Sequence, residues 1–152
     1  MKIRRNIALY VLVTYGVSWL IWLPLLANRR WGMNLPIVPG QYYLASFGPF
    51  VGAIVSSSVS LGWQGIEAWA KRVYSFRFPW RMLTTVIGML LLYVLVAVPV
   101  HTIVTGNWPE WSRFGLTEKL PGFNIFETSL IWMLTFGLGE ESGWRGYMLP
   151  EL

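Results

Sequence analysis

Apolar residues run without a formal charge from Ile7 to Leu26, and again from Tyr42 to Leu61 and from Leu83 to Val104. A fourth apolar run, Thr128 to Leu149, differs in holding two carboxylates and an arginine. About 20 helical residues at about 1.5 Å each cross a hydrocarbon core of roughly 30 Å, so each run predicts a transmembrane helix. Lys2, Arg4 and Arg5 precede the first run as they would in a signal peptide. The run exceeds the usual apolar core of about 7–15 residues, however, and the ANRR segment offers no small-residue cleavage site, which predicts a retained helix. Pro24 lies near its end, where it is tolerated.

The intervening segments are read from their punctuation. Asn28 to Gln41 (NRRWGMNLPIVPGQ) carries the Pro and Gly of a loop. Within the second run Gly48, Gly52, Ser56 and Ser60 recur every four residues, a small-residue stripe that lets another helix approach closely. Between Gly62 and Met82, Ile66, Trp69, Ala70, Val73 and Tyr74 fall at helical spacing, with Glu67 and Lys71 placed to pair on the polar side. That pattern predicts a short amphipathic helix in the headgroup region, or one that docks a partner protein. Thr105 to Phe123 reads as a polar loop with Trp108 and Trp111 at the interface. The expectation is an all-α membrane protein of about four transmembrane helices, with the interfacial helix between the second and third. Residues 1–152 form a single polytopic membrane domain, and the sequence shows neither an internal repeat nor a second domain.

Composition narrows the class further. Of the 152 residues, 55% are hydrophobic and only 12% charged, half the share of a typical soluble domain at about 25%. The net charge of +5 lies between apolar runs, which fits membrane orientation and argues against a nucleic-acid partner. Cysteine is absent, which excludes disulfides, thiol catalysis and cysteine metal sites. A single histidine, His101, excludes a multi-histidine zinc site within the chain. Lys2, Arg4, Arg5, Lys71, Arg72, Arg77 and Arg81 outnumber Arg29, Arg30, Arg113 and Lys119 across the proposed membrane. The positive-inside rule then places the N-terminus in the cytoplasm of a multi-pass cell-membrane protein. The fourth helix runs inward, with Glu140 about 18 Å below Thr128 in the inner half of the bilayer.

The candidate chemistry is concentrated in FGLGEESGWRGYMLP, Phe136 to Pro150. A charge at the bilayer centre costs about 2.5–3.5 kcal/mol on insertion scales, so charges placed there usually serve function. Glu141 and Arg145 share a helical face and can pair, whereas Glu140, about 100° away around the helix, is left to point elsewhere. Desolvation favours the protonated form of a carboxylate, and a carboxylate so placed can act as a general base on water. Gly137, Gly139, Gly143 and Gly146 leave room for substrate or water to approach. The competing structural reading is a Glu–Arg pair that only clamps helices.

The segment EESGWRGYMLPEL resembles the first motif of the CAAX protease and bacteriocin-processing family, also called CPBP or Abi, whose pattern is Glu-Glu-x-x-x-Arg. Glu140, Glu141 and Arg145 fit it, as do Trp144, Gly146, Tyr147, Leu149 and Pro150. FGPFVGA, Phe47 to Ala53, is similar to the Gly-Pro element of an earlier helix in that family. The resemblance implies an intramembrane endopeptidase, a hydrolase of prenylated or other membrane-associated peptides. Glu140 would activate water, and Glu141 and Arg145 would support the site by a glutamate mechanism without zinc. The family also carries later Phe-x-x-x-His and His-x-x-x-Asn/Asp motifs, which this chain lacks. His101 precedes the first motif and does not substitute for them, and it is expected to be a packed or interfacial residue. The chain is therefore expected to be an N-terminal portion of a longer peptidase and inactive by itself. The alternative is a non-catalytic membrane protein that binds a peptide or partner, as in bacteriocin self-immunity. A small transporter or channel, suggested only by the intramembrane carboxylates Glu140 and Glu141, is a third reading.

Overall fold

A computed structural model describes residues 2–75, 79–113, 115–117 and 120–152, with side chains from Arg5 onward; Arg77 and Lys119, counted above for orientation, lie outside them. Among the described residues every regular element is helical. Helix α1 covers Lys2–Trp31 and absorbs Pro24 without ending. It is followed by α2 (Gln41–Leu44), a 3₁₀ turn (Ala45–Phe47) and α3 (Gly48–Val73). Helix α4 spans Trp80–Thr105 and stops where Gly106 turns left-handed. The last region opens with α5 (Ile125–Trp132), continues through π-helical stretches Met133–Glu141 and Trp144–Met148, and closes with α6 (Leu149–Glu151).

The first three expected spans correspond to helices long and apolar enough to cross a membrane: Arg5–Trp31, Gln41–Val73 and Trp80–Thr105. The fourth is helical but broken into short α and π pieces, so it does not form one long α-helix. It also begins before Thr128. Asn124 Oδ1 accepts from Phe126 N at 2.9 Å and Glu127 N at 3.1 Å, while Glu127 Oε2 accepts from Asn124 N at 2.8 Å. This reciprocal cap satisfies donors that the first turn would otherwise leave free.

Helices α1 and α3 pack through the small-residue stripe. A Cβ on Gly48 would approach the Thr14 carbonyl at 2.6 Å, and one on Gly52 would approach the Tyr10 carbonyl at 3.1 Å. Gly48, Gly52 and Ser56 are buried, while Ser60 is exposed. Side chains then fasten the far end of α1: Ser18 Oγ donates to the Ala45 carbonyl at 2.8 Å and Gln41 Nε2 to the Ile21 carbonyl at 2.8 Å.

Helix α3 is not straight. Leu61 (φ −140°, ψ 15°) and Gly62 (φ 62°, ψ −144°) leave helical geometry, and the Gly62 values suit glycine alone. Beyond them the chain folds back. A continuous helix would hold Phe50 and Trp69 about 28 Å apart, yet their ring centroids are 5.5 Å apart. The expected amphipathic helix is thus present, but its apolar face lies against protein. Trp69 is 4% exposed in a core with Tyr10, Ala53 and Tyr147, and its Nε1 donates to the Ser142 carbonyl at 3.2 Å. Glu67 and Lys71 lie on the exposed side and pair at 2.5 Å. By contrast, α4 buries none of its residues.

Candidate functional site

The two segments singled out in the sequence meet in space. A Cβ on Gly143 would run into the Pro49 backbone, and one on Gly139 would approach the Ser46 carbonyl at 3.0 Å and the Phe47 ring at 3.2 Å. A Cβ on Gly146 would meet the Val73 side chain. Gly139 and Gly143 therefore bring backbones together, and Gly146 makes room for the Val73 side chain; none of the three holds space open for substrate. Of the four, Gly137 alone has open surroundings, with Met133 Cγ at 3.9 Å. The π-helical winding accompanies this contact, and Ser142 Oγ and Thr135 Oγ1 both donate back to carbonyls four residues earlier. Single-turn π bulges frequently occur at functional sites; here the widened winding extends over most of the motif.

Glu140 and Glu141 face different cavities. Glu141 borders an open groove with Arg72, Tyr74, Ser142 and Arg145. Its Oε2 stands 2.7 Å from Arg145 Nε, with the two side chains 44% and 77% exposed. Oε2 is itself buried and makes no aligned hydrogen bond, so the contact is one of charge. Glu140 is half-buried and opens into a cleft of about 360 Å³ on the other side, toward α1. Thr14, Ser18, Tyr15 and Trp19 of α1 line that cleft, with Tyr42, Pro49, Phe136 and Trp144 opposite. Thr14 and Ser18 lie near the middle of α1, so Glu140 stands level with the centre of the first apolar run.

Aromatic contacts brace this cleft. Tyr15 meets Trp144 edge-on at 6.3 Å, Trp22 stacks with Tyr42 at 6.1 Å, and Trp19 meets Trp22 edge-on at 6.1 Å. Sequence reading did not assign these rings to the site. Trp19 and Trp22 look like ordinary lipid-facing residues of a first span, and only the packing of α1 against the turn at 41–47 gathers them. His101 is exposed on α4 and borders a separate groove with Glu110 and Trp111. Among the described residues, no three or more of His, Cys, Asp and Glu come together to hold a metal. The described residues thus offer no donor set for the zinc associated with the resembled family.

The described residues, helical in every regular element and with three helices long and apolar enough to cross a bilayer, are compatible with a multi-pass membrane protein. No protein-family model, curated protein or solved structure matches the chain.

Proposed function

We propose that this chain is part of a membrane-embedded endopeptidase of the glutamate type, acting on a membrane-associated peptide. It lies in the cell membrane with four spanning segments and a cytoplasmic N-terminus. The observation carrying this reading is the separation of the two carboxylates: Glu141 is held by Arg145, while Glu140 is half-buried in a walled cleft with no cation among the described residues that line it. Glu140 takes a proton from water as the oxygen adds to the scissile carbonyl, and the proton passes to the departing amine. The meeting of the Glu-Glu-x-x-x-Arg segment with the Gly-Pro segment supports the resemblance to the CPBP family.

Hydrolysis of membrane-associated peptides by vesicles carrying this chain within the longer peptidase that the resemblance implies, read by mass spectrometry, tests the proposal. Glu140→Gln should lower the rate at least a hundredfold, the scale of general-base catalysis at about 10²–10⁴. An unchanged rate removes Glu140 from the mechanism. A second reading, non-catalytic peptide binding, is favoured by one observation: the described lining of the cleft contains no histidine, lysine or arginine to polarise a carbonyl. Peptide captured intact by the wild type, with no cleavage over hours, selects that reading.

A further inference from the structure

We propose that the Glu140 cleft binds a lipophilic organic cation, an ammonium or phosphonium centre bearing hydrophobic arms. Among the described residues lining the cleft Glu140 alone is charged, and Arg145 is engaged with Glu141 on the opposite side. Arg29 borders a neighbouring groove that shares Trp19, Trp22 and Tyr42 with the cleft, and does not line the cleft itself. The carboxylate thus offers an uncompensated negative charge in a partly desolvated wall.

The remaining wall selects what kind of cation fits. Tyr15, Trp19, Trp22, Tyr42 and Trp144 line the same cleft as the carboxylate, and aromatic rings attract a diffuse cation over their faces, more strongly where water is excluded. Ring-to-ring contacts at 6.1–6.3 Å hold most of these side chains against one another, so much of the cage is formed before a ligand arrives. Preorganisation of that kind reduces the entropic cost of binding. The volume of about 360 Å³ suits a small drug-sized molecule. A bare metal ion fits poorly, because Glu140 is the one carboxylate among the described lining residues and Thr14, Ser18, Ser46 and the tyrosines add only neutral hydroxyls. An anion finds no lysine or arginine in the lining. This inference concerns occupancy of the cleft and does not rest on hydrolysis.

The test is equilibrium binding of radiolabelled tetraphenylphosphonium to the full chain in lipid nanodiscs, with empty nanodiscs as background. Saturable binding is expected, weakened at least tenfold in Glu140→Gln and several-fold in Trp19→Leu, and unchanged in Glu67→Gln, which removes an exposed carboxylate elsewhere. Tetraphenylborate, of the same shape and opposite charge, should not bind above background to the wild type, a comparison that needs no variant to fold. Wild-type binding at background level, tetraphenylborate binding equal to that of the cation, or an unweakened Glu140→Gln each overturns the proposal. Absence of peptide cleavage by the longer peptidase, alongside intact cation binding by this chain, counts against the peptidase reading alone.

Discussion

Two neighbouring glutamates illustrate how much a single residue position decides. Glu141 pairs with Arg145, as their spacing predicts, and Glu140 faces away into the aromatic cleft. Because the Arg145 side chain is 77% exposed, its pair behaves as a surface ion pair wherever water or headgroups reach it, worth about 0–1 kcal/mol. Arg145→Gln is therefore expected to lower the thermal midpoint of the detergent-solubilised protein only slightly; a large drop would mean that the guanidinium has a greater structural role. Gly143 is the opposite case. A Cβ there meets the Pro49 backbone, which cannot swing aside as a flexible side chain can. Gly143→Leu should cost about 1–3 kcal/mol through overpacking, seen as a clear fall in the same midpoint. The glycines were visible in the sequence, but their purpose was not. A missing side chain looks the same in a sequence whether protein or open space lies beside it.

At the scale of elements, Gly62 determines the shape of α3. Its conformation at φ 62° and ψ −144° is open to glycine and strained for other residues, at about 1–3 kcal/mol. Spin labels at Val51→Cys and Lys71→Cys are convenient because the chain has no native cysteine. A continuous helix would separate the two backbones by about 30 Å, and the folded-back arrangement predicts a distance well short of that. Gly62→Ala should broaden the distribution toward longer values. Trp69 fastens the returning segment by burial and by its bond to the Ser142 carbonyl. Trp69→Ala should cost about 3–5 kcal/mol and raise hydrogen exchange selectively across residues 63–73. The sequence showed the amphipathic face of this segment and the boundary at Gly62. It did not show that protein covers the face, because apolar periodicity is identical for a stripe against lipid and a stripe against a helix.

For the whole molecule, the exposed apolar surface is the dominant fact. Leu90 and Leu92 on α4 are 62% and 61% exposed, and the helix buries no residue. In water such a surface would drive aggregation; in a bilayer, lipid covers it. Cysteines introduced at positions 90 and 92 should resist a membrane-impermeant maleimide in intact vesicles, whereas one at position 35, in the exposed loop after α1, should react from the outer side. Rapid labelling at 90 and 92 would contradict a lipid-covered α4. Reaction at 35 only from the cytoplasmic side would reverse the proposed orientation.

The sequence by itself determined the helical class, the three long apolar helices and the pairing of Glu141 with Arg145. These follow from periodicity, run length and spacing along one chain, all local properties. Tertiary structure alone decided that Glu140 opens toward α1, that Trp19, Trp22 and Tyr42 line the cleft it opens into, and that the motif glycines meet Ser46, Pro49 and Val73. The reason is physical: a cleft is bounded by residues far apart in sequence, and only the approach of backbones across Gly48, Gly52, Gly139 and Gly143 sets which side chains share it.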